Sequence, residues 1–344
     1  MDKRRVTYNG LDCETDYGSE AYMIEFDISQ ADVLFSDQFL YGKYTVYFGL
    51  AAILLATLKN VWYRYSDMTY RRKVQNGSIE PGYFGSFIAV LTAFSRSIGY
   101  KPINMYVSKY LGLPATSGSF LFVFATTLYL ALYSFVPHYW YRGCRGFGSP
   151  PLAVRTGVMA VALIPFIYIL GGKTNMITLV TGISYEKLNV FHQFCGVACF
   201  VLSLIHIIPF IYQIYNEGGT SWLAHKFATF SYYSGIPPLI FIGILIFGSN
   251  SWVRKHCYEG FLHIHWLCGI GFFGTTVWHI HDANYEMWDY MWSALAFWMS
   301  QLMYRALVKT CFKPNALFLK PRPAQLRILD SQTFEVVVTN VADW

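Results

Sequence analysis

The sequence predicts an all-α membrane protein of about seven transmembrane helices, followed by a short C-terminal β piece. Three observations predict it. Hydrophobic residues make up 54% of the 344 residues and charged residues only 13%, about half the charged share of a soluble domain. Apolar runs near the length that crosses a hydrocarbon layer recur from Tyr44 to Ala306. Lys and Arg gather in short clusters between those runs, as they do in the loops of membrane proteins. The net charge of +6 is dispersed in this way, not concentrated as nucleic acid would require. The expected partner is therefore the lipid bilayer, and no nucleic acid.

The spans fall at Tyr44–Trp62, Ser119–Val136, Leu152–Leu170, Asn189–Tyr212, Ser234–Phe247, Gly260–His281 and Met287–Ala306. Trp and Tyr crowd their ends, as interfacial aromatics do. The fifth is short, and Pro237 and Pro238 suggest a broken first turn. Tyr83–Tyr100 carries Ser95, Arg96 and Ser97 and falls short of a span, so it reads as an interfacial amphipathic helix. The chain thus divides into a tail (1–43), a first membrane helix (44–62), a segment with an interfacial helix (63–117), the main membrane domain (118–306) and a C-terminal piece (307–344). In the last, AQLRIL and FEVVVT flank Asp330-Ser331-Gln332, a hairpin's worth of strand. That is too little to fold alone and reads as the opening of a further domain.

Positive charge orients the bundle. Lys59, Arg64, Arg71, Arg72, Lys73, Arg96, Lys101 and Lys109 mark the side after the first span as cytoplasmic. The acidic tail, with Glu14, Asp16, Glu20, Glu25, Asp27, Asp32 and Asp37, falls on the other side. Arg254, Lys255, Arg305, Lys309 and Lys313 agree with this count; Arg142 and Arg145 do not. The sequon Asn76-Gly77-Ser78 then faces the cytoplasm and stays bare. Cys13, Cys144, Cys195, Cys199, Cys257, Cys268 and Cys311 contain no CxxC pair, so no disulfide framework or zinc site is read from them. The polar start shows no secretory signal.

The chemistry lies in the histidines. His192 and His206 lie in the fourth span, and His263, His265 and His279 in the sixth, with His281 at its end. A ligating residue inside a membrane segment is a functional hypothesis by default. His192 and His206 are fourteen residues apart, as are His265 and His279. Fourteen residues turn a helix by about 1400°, some 40° short of four turns, and rise about 21 Å. Each pair therefore shares one face and spans most of the hydrocarbon layer. The fourth and sixth spans run parallel, so His192 matches His265 at the cytoplasmic end and His206 matches His279 at the outer end. A porphyrin iron with two axial imidazoles needs such pairs, and two b-type haems follow. His263 sits about 200° round the helix from His265 and has no mate fourteen residues on. Gly196 follows His192 by four residues and Gly269 follows His265 by four, which leaves backbone without a side chain where a flat macrocycle would lie. The residues one turn back from the outer pair, Leu202, Ser203, Thr275 and Thr276, are only moderately small. Core histidines bonding between helices, or a soft-metal site from His192, Cys195 and Cys199, are the other readings. Neither explains matched spacing on alternate spans. Arg155, near the outer end of the third span, reads either as a counter-charge to haem propionates or an anionic acceptor, or as a snorkelling side chain. Arg142 and Arg145 lie on the same side and would act with it.

The two His-x13-His pairs resemble the fungal ferric reductase family, related to the NADPH oxidases. The run from Pro151 to Gly196, with Arg155-Thr156-Gly157, Thr181-Gly182 and His192, is similar to that family's transmembrane signature. The resemblance covers Ser119 to Ala306 and extends into the 320s, where the family's flavin domain begins. It implies electrons passing from cytosolic NADPH through FAD to an inner haem on His192 and His265. From there they pass to an outer haem on His206 and His279, and then to ferric iron outside. The flavin motif and the glycine-rich nicotinamide loop are not in this chain, so a separate flavoprotein is one expected partner. The oxidase branch has a further His where this chain has Phe210 and often twelve residues, not thirteen, between its sixth-span ligands. Both differences favour a ferric-chelate reductase over a superoxide-generating oxidase. A haem-free transporter or partner subunit is the alternative from another class. The resemblance implies the plasma membrane first and the vacuolar membrane second.

Overall fold

The computed structural model describes residues 7–13, 15–32, 34–77, 83–104, 114, 116–137, 139–144, 147–281, 286–307, 324–330 and 333–338. Lys109, Arg145, Lys309, Cys311, Lys313 and the Ser78 of the sequon lie outside the described residues.

A two-residue hairpin, β1 (Thr7–Tyr8) and β2 (Leu11–Asp12), leads into helix α1 (Glu20–Asp32) and a 3-10 turn at Ser36–Phe39. The long helices follow: α2 (Leu40–Gln75), α3 (Tyr83–Gly99), α4 (Ser117–Phe135) and α5 (Pro151–Gly171). The short α6 (Met176–Thr181) precedes α7 (Tyr185–Phe227), which breaks at Gly219, where φ is 68°. Then come α8 (Ile236–Gly248), α9 (Tyr258–His279) and α10 (Glu286–Tyr304). Strands β3 (Ala324–Asp330) and β4 (Thr333–Val338) close the described chain as an antiparallel pair, Ile328 opposite Phe334 and Arg327 opposite Glu335.

Among the described residues, five helical stretches are long and apolar enough to cross a membrane: one within Glu20–Gln75, then Ser117–Phe135, Pro151–Gly171, Tyr185–Asn216 and Phe230–Gly248. The chain is a multi-pass membrane protein. The last two expected spans are helices of 22 and 19 residues whose histidines and acidic residues hold their hydropathy down. Leu54, Leu55 and Leu58 on α2, and Leu121, Phe124 and Leu128 on α4, are exposed, as side chains that meet lipid are. Pro237 and Pro238 occupy the first turn of α8, where a missing N–H costs nothing. The interruption lies just before them, at Ser234 and Gly235, after a single turn at Phe230–Tyr233.

Helix α5 is the central post. It is buried along most of its length and packs against α7, α10 and α2, while α9 packs on α8. The two histidine helices, α7 and α9, do not pack closely on each other. They bracket a gap.

Two expectations are corrected at one end of the bundle. Cys13 and Cys144 form a disulfide across 131 residues, although no cysteine pairing was read from the sequence. It sits in a small core with Tyr22 and Phe147. Arg142, expected to face propionates or an anion, instead donates to the Ser29 carbonyl at 2.9 Å, to the Ser29 hydroxyl at 3.1 Å and to the Ser149 carbonyl at 3.3 Å. Burial holds its pKa below the usual arginine range. Its charge thus ties α1 to the α4–α5 loop. The disulfide also constrains topology: Cys13 and Cys144 share one face of the bundle, so an even number of crossings separates them. Among the described residues between them, α2 and α4 are the helices of spanning length and hydropathy.

Candidate functional site

The gap between α7 and α9 is bridged by two histidine pairs. The rings of His192 and His265 are 6.2 Å apart between centroids, and those of His206 and His279 are 6.5 Å apart. Two imidazole–metal bonds of about 2.0 Å, with about 1.1 Å from nitrogen to ring centre on each side, separate centroids by about 6.2 Å. Both pairs therefore stand at the spacing of a shared metal atom. His263 does not join them: it is exposed, and its Nδ1 bonds its own helix at the Glu259 carbonyl. His281 is exposed at the end of the helix.

The second nitrogen of each ring decides what the pairs can do. His192 Nδ1 lies 2.9 Å from the Ile167 carbonyl oxygen and His206 Nδ1 lies 2.7 Å from that of Ala153, both on α5. A carbonyl only accepts, so each Nδ1 carries the proton and each Nε2 keeps its lone pair. On α9, His279 Nδ1 lies 2.9 Å from Ser234 Oγ and His265 Nδ1 lies 3.1 Å from Ser249 Oγ. Each serine already donates its own proton to a carbonyl, Ser234 to Phe230 and Ser249 to Leu245. Each hydroxyl is therefore left as an acceptor, and the tautomer is the same. All four histidines present a bare Nε2 with Nδ1–H tied down, the arrangement metal-ligating histidines adopt.

Glycines position the rings. A Cβ built on Gly157 would overlap the His206 ring, one on Gly171 would sit 3.1 Å from His192 Cε1, and one on Gly235 would sit 3.1 Å from His279 Cε1. Gly157 and Gly171 are fourteen residues apart on α5, as are Ala153 and Ile167, whose carbonyls take the Nδ1 protons. Helix α5 thus carries a Gly-x13-Gly complement to the His-x13-His of α7. These residues, and Ser234 and Ser249, were missed from sequence; the repeated spacing of fourteen was the available signal. Gly196 and Gly269 behave differently. A Cβ on either meets nothing within 4 Å, so both border open space, as a macrocycle's bed would. Tyr168 of α5 donates to the Gly269 carbonyl at 2.7 Å and anchors that backbone.

A cavity of about 520 Å³ surrounds the His206–His279 pair, lined by both rings with Ser203, Phe210, Leu239 and Thr276 among others. Its lining is mostly apolar. Among the described residues no three His, Cys, Asp or Glu converge on one point. The donor set therefore fits a metal whose remaining ligands come from a macrocycle, and two b-type haems fit the pairs, the gap and the glycines. The soft-metal reading of Cys195 and Cys199 is not supported, because Cys199 Sγ is spent on the Ala160 carbonyl at 3.4 Å.

Arg155 departs from the snorkelling reading. It is fully buried and does not snorkel. Its guanidinium donates to the carbonyls of Ser134 at 2.8 Å, Tyr139 at 3.2 Å and Pro137 at 3.3 Å. It caps the end of α4, where helical carbonyls lack intrahelical partners, and holds the loop in which Tyr139 takes a left-handed φ of 61°. A buried guanidinium donating to three carbonyls holds this packing together.

Residues 156–276 match the family described as ferric reductase like transmembrane component. The chain is 37% identical over 341 residues to ferric/cupric reductase transmembrane component 7 of Saccharomyces cerevisiae, an alignment that covers 98% of this chain and 55% of that protein. It is 34% identical over 259 residues to an Aspergillus oryzae protein described as a probable cell surface ferric reductase, kap2, covering 73% of this chain and 34% of that one. Against ferric reductase transmembrane component 3 of Saccharomyces cerevisiae it is 28% identical over 240 residues, 62% of this chain and 33% of the relative. The chain spans about half or less of the length of these relatives. No solved structure matches it significantly.

Proposed function

The chain belongs to the fungal ferric reductase family, and from that premise we propose that it relays single electrons across the bilayer, through two b-type haems, to ferric iron on the far side. The observation that carries this is the set of four bare Nε2 atoms in two facing pairs, each ring locked by its Nδ1–H. When bound, the haems supply the reversible one-electron iron couple. The chain's residues hold and isolate them. His192 and His265 would hold the inner haem and His206 and His279 the outer one; Gly196 and Gly269 would leave room for the inner ring, and Phe210 and Leu239 would line the outer one. An outer-sphere electron transfer moves no proton, so no acid or base is required.

Direction follows from charge and from the disulfide. Lys and Arg in the C-terminal half of α2 and beyond it favour the cytoplasm for one face, and Cys13–Cys144 suits the oxidising side opposite. The plasma membrane satisfies both. NADPH and FAD supply the electrons, from a domain that begins at β3–β4 or from a separate flavoprotein. Phe210, 5.3 Å from the His206 ring, stands where the oxidase branch carries its further histidine, and this favours metal over oxygen as acceptor.

The test is a dithionite-reduced minus oxidised spectrum with haem counted per chain, paired with ferrozine-detected iron reduction. About two haems and reduction insensitive to superoxide dismutase are expected. A chain without haem in intact membranes, or reduction abolished by the dismutase, overturns the reading.

A further inference from the structure

A second cavity, of about 550 Å³, opens beside the His206–His279 cavity and belongs to none of the machinery above. Its walls include Asp32 from α1, Asp37 and Gln38 from the 3-10 turn, Tyr41 and Tyr44 from α2, and Arg155. Asp32 and Asp37 are exposed at its rim. Gln38 is 5% exposed, and its side-chain Oε1 is buried with no hydrogen-bond partner. An unsatisfied buried acceptor requires an explanation, and Gln38 lines the same cavity as Asp32 and Asp37. Arg155 contributes one positive charge at the wall, already spent on three carbonyls. Two carboxylates against one guanidinium leave the cavity net negative.

The 3-10 turn is the partition between the two cavities. Phe35 and Phe39 line the histidine side, while Leu34, Asp37, Gln38 and Leu40 line the other. Phe39 is buried against Val154 and Val158 of α5. The 3-10 turn therefore stands between the cavity that holds the outer histidine pair and a net negative chamber.

We infer that this chamber is the acceptor site, which holds a hydrated or weakly chelated hard metal cation through Asp32, Asp37 and the Gln38 carbonyl. The inference rests on the relay proposed above and names where its electron leaves the protein. Oxygen donors suit hard cations. Because no three carboxylate, imidazole or thiolate groups converge among the described residues, the cation keeps its own water or chelator ligands and is held through them. Loose holding allows the reduced ion to leave. A haem held by His206 and His279 would supply one electron to iron(III) in the chamber, which would leave as iron(II), with no bond to protein made or broken.

The test uses the full-length protein in detergent and terbium(III), a redox-inert trivalent ion whose luminescence is sensitised by nearby tyrosines such as Tyr41 and Tyr44. Saturable luminescence is expected, weakened at least tenfold by Asp37→Asn and by Gln38→Leu and strengthened by Gln38→Glu, with the haem spectrum unchanged. Terbium should also compete with ferric citrate for reduction, and Asp37→Asn should raise KM for ferric citrate about tenfold while leaving ferricyanide reduction intact. Terbium binding equal in wild type and both weakening variants overturns the site. Specific binding that fails to compete with ferric citrate overturns its role as acceptor site. Failure of the reduced wild-type haems to pass electrons to either acceptor overturns the relay instead, and the terbium titration still judges the chamber on its own.

Discussion

His206 Nδ1 lies 2.7 Å from the carbonyl oxygen of Ala153 on the neighbouring helix, and Gly157, four residues further along, is what admits the ring. In a helix the carbonyl of residue i faces the side of residue i+4. A side chain at 157 would stand between the imidazole and its acceptor. The same relation holds for His192, Ile167 and Gly171, with more clearance. Gly157→Ala is therefore expected to displace His206 and to lower haem content by about half, whereas Gly171→Ala keeps two haems with a perturbed inner spectrum. A pyridine haemochrome count per chain checks both. Two haems with unshifted bands in Gly157→Ala would show that the ring does not need the gap.

The pairing itself predicts a partition by depth. His206→Ala or His279→Ala removes one ligand of the outer site and should leave about one haem per chain. His192→Ala or His265→Ala should do the same for the inner site. His263→Ala should lose nothing, because its Nδ1 bonds its own helix. Redox titration of each single-haem variant would separate the two potentials. If a change at one depth removes haem from the other, the assignment of partners is wrong.

The two histidine helices differ in how their Nδ1 protons are held, and this is experimentally accessible on one side only. The α7 histidines use backbone carbonyls, which no substitution removes. The α9 histidines use Ser234 and Ser249. Ser234→Ala leaves the His279 N–H without an acceptor in a buried position and makes the imidazole a poorer electron donor. Loss of such an outer partner lowers metal affinity by about 10- to 100-fold. The outer midpoint potential should rise, because a weaker donor stabilises iron(III) less, while the inner one holds. Ser249→Ala should do the converse, and potentiometric titration reads both. A uniform shift in the two potentials would point to general loosening.

Much of this site was legible in the sequence because ligand spacing on one helix is a local property. Two His-x13-His pairs on alternate spans fix face, depth and partner without any contact map. The supports were not legible, because each is half of a relation between distant segments. Gly157 appears in the sequence only as part of the signature Arg155-Thr156-Gly157, and Gly171 has no signal of its own, until His206 and His192 are placed against them. Ser234 reads as a span boundary, yet it is fully buried. Arg155 was read by its charge, facing solvent or a propionate, because sequence does not reveal that three carbonyls at the end of α4 converge on it. Cys13 and Cys144 belong to no motif and are joined only once α1 folds over the α4–α5 loop.

That fold-over yields the last prediction. The segment pinned by Cys13–Cys144 runs through α1 into the 3-10 turn, whose Phe35 and Phe39 wall the outer histidine cavity. Releasing the crosslink frees a loop of more than a hundred residues in the unfolded chain, and such a bridge contributes about 2–4 kcal/mol. The Ser29–Arg142 and Gln30–Phe147 hydrogen bonds remain to hold α1, so the bundle should still assemble. Cys13→Ser is therefore expected to retain two haems at low temperature but to lose the outer one at a lower temperature than wild type. The inner haem should be unaffected, because its ligands lie at the other end of the bundle. Dithiothreitol should reproduce the effect in wild type and add nothing in Cys13→Ser. The measurement is haem absorbance during a thermal ramp, with and without reductant. Equal melting in all samples would mean that the aromatic packing of Tyr22 and Phe147 holds the wall without the sulfur bridge.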